Sequence, residues 1–98
     1  MPTVLDPEGA HAAAIRSLVD LRGLRVLEVG AGDGRLTFEL AGPTASWLAT
    51  EPKPDLVERA RATLPTSLAG TVSFAVAGGA EVEAPEAEFD LVLFSWSL

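Results

Sequence analysis

Residues 26–35 read Val-Leu-Glu-Val-Gly-Ala-Gly-Asp-Gly-Arg, and this stretch decides the fold. The run from Leu24 to Val29 is short, mostly apolar and bounded by Gly23 and Gly30, as expected of a strand buried on both faces. Beyond the glycines, Leu36 and Leu40 lie one helical turn apart, and Gly42-Pro43 supplies a helix stop. Between strand and helix, Gly30, Gly32 and Gly34 alternate. A loop needs that many glycines when its backbone must turn tightly and come close to a ligand; an ordinary strand-to-helix turn needs one or two.

Upstream, Asp6-Pro7 reads as an N-cap with proline at the first helical position, and Ile15, Leu18 and Val19 recur at helical spacing. Residues 1–23 are therefore expected to be a leading helix. Downstream, Ala45 to Glu51 is a second strand ending in a carboxylate, and Pro54 suits the first turn of the next helix. Val57, Ala60 and Leu64 mark that helix's buried stripe, Asp55 and Arg59 are spaced to pair, and Pro65 ends it. Thr71 to Val76 reads as a third strand and Phe89 to Phe94 as a fourth. The 12 residues from Ala77 to Glu88 hold two glycines, a proline and four glutamates, so any helix there is short and exposed. Strands alternating with helices predict an α/β fold with a Rossmann-like, doubly wound parallel sheet. One domain over residues 1–98 is expected, its core spanning 24–98.

Composition narrows the function. With 98 residues, 48% apolar and 21% charged, the chain has room for one core. A net charge of -7 repels nucleic-acid backbones and anionic membranes. No cysteine is present, which excludes disulfides and thiolate zinc sites, and a single histidine excludes a histidine-rich metal site. The start, Met1-Pro-Thr-Val-Leu-Asp6, does not read as a secretory signal, and no apolar run approaches the ~20 residues that span a bilayer. A cytoplasmic, soluble protein without a resident metal is the expectation.

Dinucleotides and S-adenosylmethionine (SAM) compete for such a loop. In the dinucleotide pattern G-x-G-x-x-G the third glycine falls at position 35, which is Arg35. Glu28 and Asp33 also place carboxylates beside a loop that would have to accept a pyrophosphate, whereas an ammonium or sulfonium cation suits them. Glu51, 21 residues after Gly30, stands at a strand end where a carboxylate can accept from both hydroxyls of a ribose. That serves either ligand; the competing reading is a solvated acid.

These residues carry a resemblance. Val26-Leu-Glu-Val-Gly-Ala-Gly-Asp-Gly-Arg-Leu-Thr37 resembles motif I of class I SAM-dependent methyltransferases, and Ala80-Glu81 with Phe89-Asp-Leu-Val-Leu-Phe-Ser-Trp-Ser-Leu98 is similar to their fourth-strand region. The likeness is to the small-molecule-type domain and runs from Leu24 onward. It implies that Glu28 and the loop of Gly30, Ala31, Gly32 and Gly34 surround the methionine moiety. It further implies Glu51 and Pro52 at the ribose, Gly79, Ala80 and Glu81 around adenine, and Ser95 on the methionine or substrate side. Where family members commonly read Gly-Asp-Ala after the third strand, this chain reads Gly78-Gly79-Ala80, so the acidic acceptor for the adenine amino group is missing. Glu81 or backbone groups stand in its place, and weakened adenine binding is expected.

Trp96 reads equally as a site aromatic or a core one, His11 as a surface residue, and Arg35 as a solvated helix start. The glutamates at 81, 83, 86 and 88 read as a solvated loop. The family's sheet has seven strands ordered 3-2-1-4-5-7-6, and the resemblance covers 3-2-1-4. The fourth strand would then be an unpaired apolar edge, prone to self-association. The expected function is methyl transfer from SAM to a small molecule, with no catalytic base assigned. A SAM-binding module without turnover is the alternative, and an NAD-dependent oxidoreductase a distant third.

Overall fold

In the computed structural model, residues 3–5, 12–78 and 88–95 are described. The elements are β1 (Thr3–Leu5), α1 (Ala12–Leu18), β2 (Arg25–Val29), α2 (Arg35–Leu40), β3 (Ser46–Glu51), α3 (Pro54–Thr63), a 3-10 turn at Thr66–Leu68, β4 (Val72–Val76) and β5 (Leu91–Phe94). The four strands and two helices expected from Leu24 onward are all present, with ends shifted by one or two residues. Proline starts and stops α3: Lys53 caps it in an extended conformation, Pro54 occupies the first turn, and Leu64 leaves the helix ahead of Pro65.

The sheet is ordered β1-β5-β2-β3-β4, and every pairing is parallel. Residues in register therefore share a face. Val26 lies beside Trp47 and Leu91, and Trp47 beside Val72. One step on, Glu28 lies beside Ala49 and Leu93, and Ala49 beside Phe74. These apolar residues pack with Ile15 of α1, Leu40 of α2, and Val57 and Ala60 of α3 into one core. The described helices thus cover one face of the sheet. The other face carries Leu27, Leu48 and Val92 in one row and Val29, Thr50 and Phe94 in the next.

Two expectations are corrected at the N-terminus. Residues 1–23 hold a strand as well as a helix: Thr3 and Leu5 pair in register with Leu91 and Leu93. Three residues carry no alternation to read, and such a segment becomes a strand only through the partner it finds. In consequence β5 is flanked by β1 and β2, so the open fourth-strand edge expected from the sequence is covered, and self-association through it loses its premise. The helix start at Asp6-Pro7 and His11 lie outside the described residues. The Asp55–Arg59 pair is also corrected: among the described residues the ion pairs are Arg22–Asp20, Arg25–Asp90 and Arg35–Asp33. Asp55 and Arg59 are both exposed, where water competes and such a pair gains little.

Candidate functional site

The C-terminal ends of β2, β3 and β5 meet beside the glycine loop. Gly30, Gly32 and Gly34 stand at φ 81°, 62° and 90°, in the left-handed region that side chains disfavour. The loop is tied down by β3. The backbone N–H groups of Gly30 and Ala31 both donate to the Thr50 carbonyl at 2.9 and 2.9 Å, and the Thr50 hydroxyl donates to the Glu28 carbonyl at 3.1 Å. Gly34 N–H donates to Ala31 O at 3.1 Å, closing the turn into α2. Gly34 also packs closely, since a Cβ there would meet Phe38 and Ala60.

Glu51 is 4% exposed, which sets it apart from a solvated strand-end acid. One carboxylate oxygen accepts the Gly32 N–H at 2.9 Å and the other accepts the Lys53 N–H at 3.1 Å. A carboxylate has about four lone-pair sites, so each oxygen retains capacity for a ligand hydroxyl. Pro52 follows it and is exposed.

Glu28 is turned under the loop. It is fully buried, in the row of Ala49, Phe74 and Leu93, where a charge is out of place. Its Oε1 accepts from the Thr37 hydroxyl and from the Trp47 indole N–H at 3.0 Å, and its Oε2 accepts from the Ser95 hydroxyl. These donors are neutral. Burial pushes the Glu28 carboxyl above the usual glutamate range, against the three hydrogen bonds, which pull it down. Thr37 and Trp47 were not singled out from the sequence. Alternation along β2 places Glu28 on the face of Val26, but its partners come from other elements, and no local signal in the sequence joins them.

Ser95 is half-buried at the end of β5, its N–H donating to Val29 O at 2.9 Å. The structure thus brings Glu28, Gly30, Ala31, Gly32, Gly34, Glu51 and Ser95 together. Gly79, Ala80, Glu81, Glu83, Glu86 and Trp96 lie outside the described residues. Arg35 is 88% exposed and turned to Asp33 at 3.5 Å. Glu51, the carboxylate bonded to the loop, keeps acceptor capacity on both oxygens, a chemistry that fits hydroxyl donors better than a pyrophosphate. Among the described residues no helix is long and apolar enough to cross a membrane, and no cluster of acidic, histidine or cysteine side chains could hold a metal ion.

Residues 26–98 match a protein family described as a methyltransferase domain. Over 79 residues the chain is 39% identical to magnesium-protoporphyrin O-methyltransferase of Rhodobacter capsulatus, covering 81% of this chain and 34% of that protein. The chain therefore spans about a third of the length of this curated relative. Among solved structures, phosphoethanolamine N-methyltransferase 1 of Haemonchus contortus, in complex with phosphoethanolamine and S-adenosylhomocysteine, superposes with a TM-score of 0.73 and 26% identity over 85% of this chain and 18% of that one. Magnesium protoporphyrin IX methyltransferase of Synechocystis, with bound SAM, gives a TM-score of 0.69 and 24% identity over 85% of this chain and 39% of that one, a likeness of fold alone.

Proposed function

The chain belongs to the class I SAM-dependent methyltransferase family, and on that premise we propose that it holds SAM at the glycine loop as part of an enzyme methylating a small molecule. The observation that carries this reading is Glu51, buried at the end of β3 and bonded to the loop's own Gly32 N–H. It joins the ribose-binding position to the loop, so one ligand touches both. In this reading Glu51 accepts from the ribose hydroxyls beside Pro52, and the backbone of Gly30, Ala31, Gly32 and Gly34 lies along the methionine moiety. Glu28 supports that loop from below, and Ser95 faces the same moiety from β5. By their sequence position, Gly79, Ala80 and Glu81 take the adenine.

SAM supplies a methyl group on a sulfonium that is already a good leaving group, so the protein's share is positioning and exclusion of water. No base among these residues is assigned. The acceptor is a small molecule, and the name of the curated relative makes magnesium protoporphyrin the first to try. The alternative reading is a SAM-binding module without turnover.

Calorimetric titration with SAM, S-adenosylhomocysteine and NAD tests the site. Binding of the first two without NAD is expected; NAD binding without SAM binding overturns both readings. Radiolabelled methyl transfer to magnesium protoporphyrin favours the enzyme, and SAM binding without transfer to any acceptor offered favours the module.

A further inference from the structure

Lys53 is the only lysine in the chain, and no cysteine is present. Its side chain and the Met1 terminus are therefore the only primary amines, and no thiol competes with them for an electrophile. Lys53 is exposed, and its ammonium takes part in none of the ion pairs among the described residues.

The backbone fixes where that amine can go. Lys53 stands between Pro52 and Pro54, and the following proline confines it to the extended conformation observed, with φ -93° and ψ 111°. Its N–H donates to Glu51 Oε2 at 3.1 Å, while Glu51 Oε1 accepts from Gly32 of the loop. The lysine stem is thus rooted on the carboxylate assigned above to the ribose. Four methylenes carry Nζ about 6 Å from Cα, so in every rotamer Nζ stays within roughly 11 Å of the Glu51 carboxylate.

We propose that Lys53 is an acylation site at the rim of the glycine-loop site, where acylation and cofactor binding oppose one another. This rests on the SAM-binding reading above and adds a means of regulating it. The acyl donor is an acyl phosphate. The deprotonated Nζ attacks its carbonyl carbon, the bond from that carbon to the phosphate oxygen breaks, and phosphate leaves with the electron pair. One Nζ proton passes through water to the phosphate, leaving a neutral amide. The ammonium it replaces is compact and strongly hydrated, which holds it out in solvent. The amide is larger and less hydrated, and it settles over the exposed Pro52 and the mouth beside Glu51, where the ribose enters. By the same overlap, a bound cofactor shields Nζ from the donor.

The test treats the 98-residue chain with acetyl phosphate, with and without saturating S-adenosylhomocysteine, and follows both amines by peptide mass spectrometry. S-adenosylhomocysteine is expected to slow acetylation of Lys53 about tenfold and to leave the Met1 amine unaffected, a coupling of ordinary size. In calorimetric titration, the acetylated chain and Lys53→Gln, which carries a neutral amide, should bind S-adenosylhomocysteine about tenfold more weakly. Lys53→Arg keeps the charge and offers no amine, so it should bind like the unaltered chain both before and after treatment. Thermal melts confirm that each species folds. Equal acetylation of Lys53 with and without the ligand overturns the proposal. So does absence of acetylation at Lys53, unchanged binding by the acetylated chain, or an equal loss of binding in treated Lys53→Arg, which would trace the effect to Met1. Failure of the unaltered chain to bind S-adenosylhomocysteine overturns the SAM-binding reading itself and this proposal with it.

Discussion

At Gly34 the backbone stands at φ 90°, and a Cβ there would lie 2.9 Å from Phe38 Cζ and 3.3 Å from Ala60 Cβ. Gly34→Ala is therefore expected to cost about 1–3 kcal/mol in urea unfolding, from backbone strain and crowding together. Gly42→Ala, with nothing within 4 Å of its added methyl, should leave the midpoint unchanged or slightly raised. Glu28 makes a pH-dependent prediction. Its carboxyl is pushed up by burial, so between the ordinary glutamate value of about 4.3 and the raised folded value the folded chain keeps a proton that the unfolded chain has lost. The stability it contributes is full below that window and lost as pH rises through it. Melting curves should place Glu28→Gln close to the unaltered chain at about pH 4 and above it at about pH 7.5. A lower melting point for Glu28→Gln at the higher pH would contradict this. The glycines and Glu51 were legible in the sequence because turn geometry and strand ends are local. The sequence places Glu28 on the inner face by alternation, but its three donors come from α2, β3 and the end of β5.

The two outer strands of the sheet show how elements are kept apart from further pairing. In β4, Thr71 O accepts from Trp47 and Ala77 N–H donates to Glu51, so odd-numbered residues face β3 and the groups of Phe74 face outward. The Arg61 guanidinium from α3 donates to that outward Phe74 carbonyl at 2.7 Å. It blunts an edge that strand addition would otherwise use. Arg61→Ala is expected to lower stability by less than about 1 kcal/mol while raising concentration-dependent association in sedimentation velocity. At the other side, deleting residues 1–5 removes β1 and bares β5 from Leu91 to Leu93. That deletion should aggregate at concentrations where the whole chain stays dispersed; equal dispersion would show that β1 does not protect the edge. From Leu24 onward the elements were readable because apolar spacing, glycines and prolines punctuate them. β1 was not, because three residues take strand geometry only from a neighbour distant in sequence.

The fold and the cofactor reading make one prediction for the chain as a whole. A ligand that binds only the folded state at about 100 times its dissociation constant adds about 2.7 kcal/mol, so saturating SAM should raise the melting temperature and NAD should not. The absence of any SAM-dependent shift would count against the site. The sequence by itself determined the α/β class, the strand-loop-helix at Gly30–Gly34, the family resemblance and the acidic character of the site, because these depend on residue type and on spacings within one or two elements. Only the tertiary structure decided that β1 shields β5, that Arg61 caps β4, and that Glu28 is buried with Thr37, Trp47 and Ser95 as its hydrogen-bond partners. Each of those depends on strand order and register, which join residues tens of positions apart and leave no period in the chain to read.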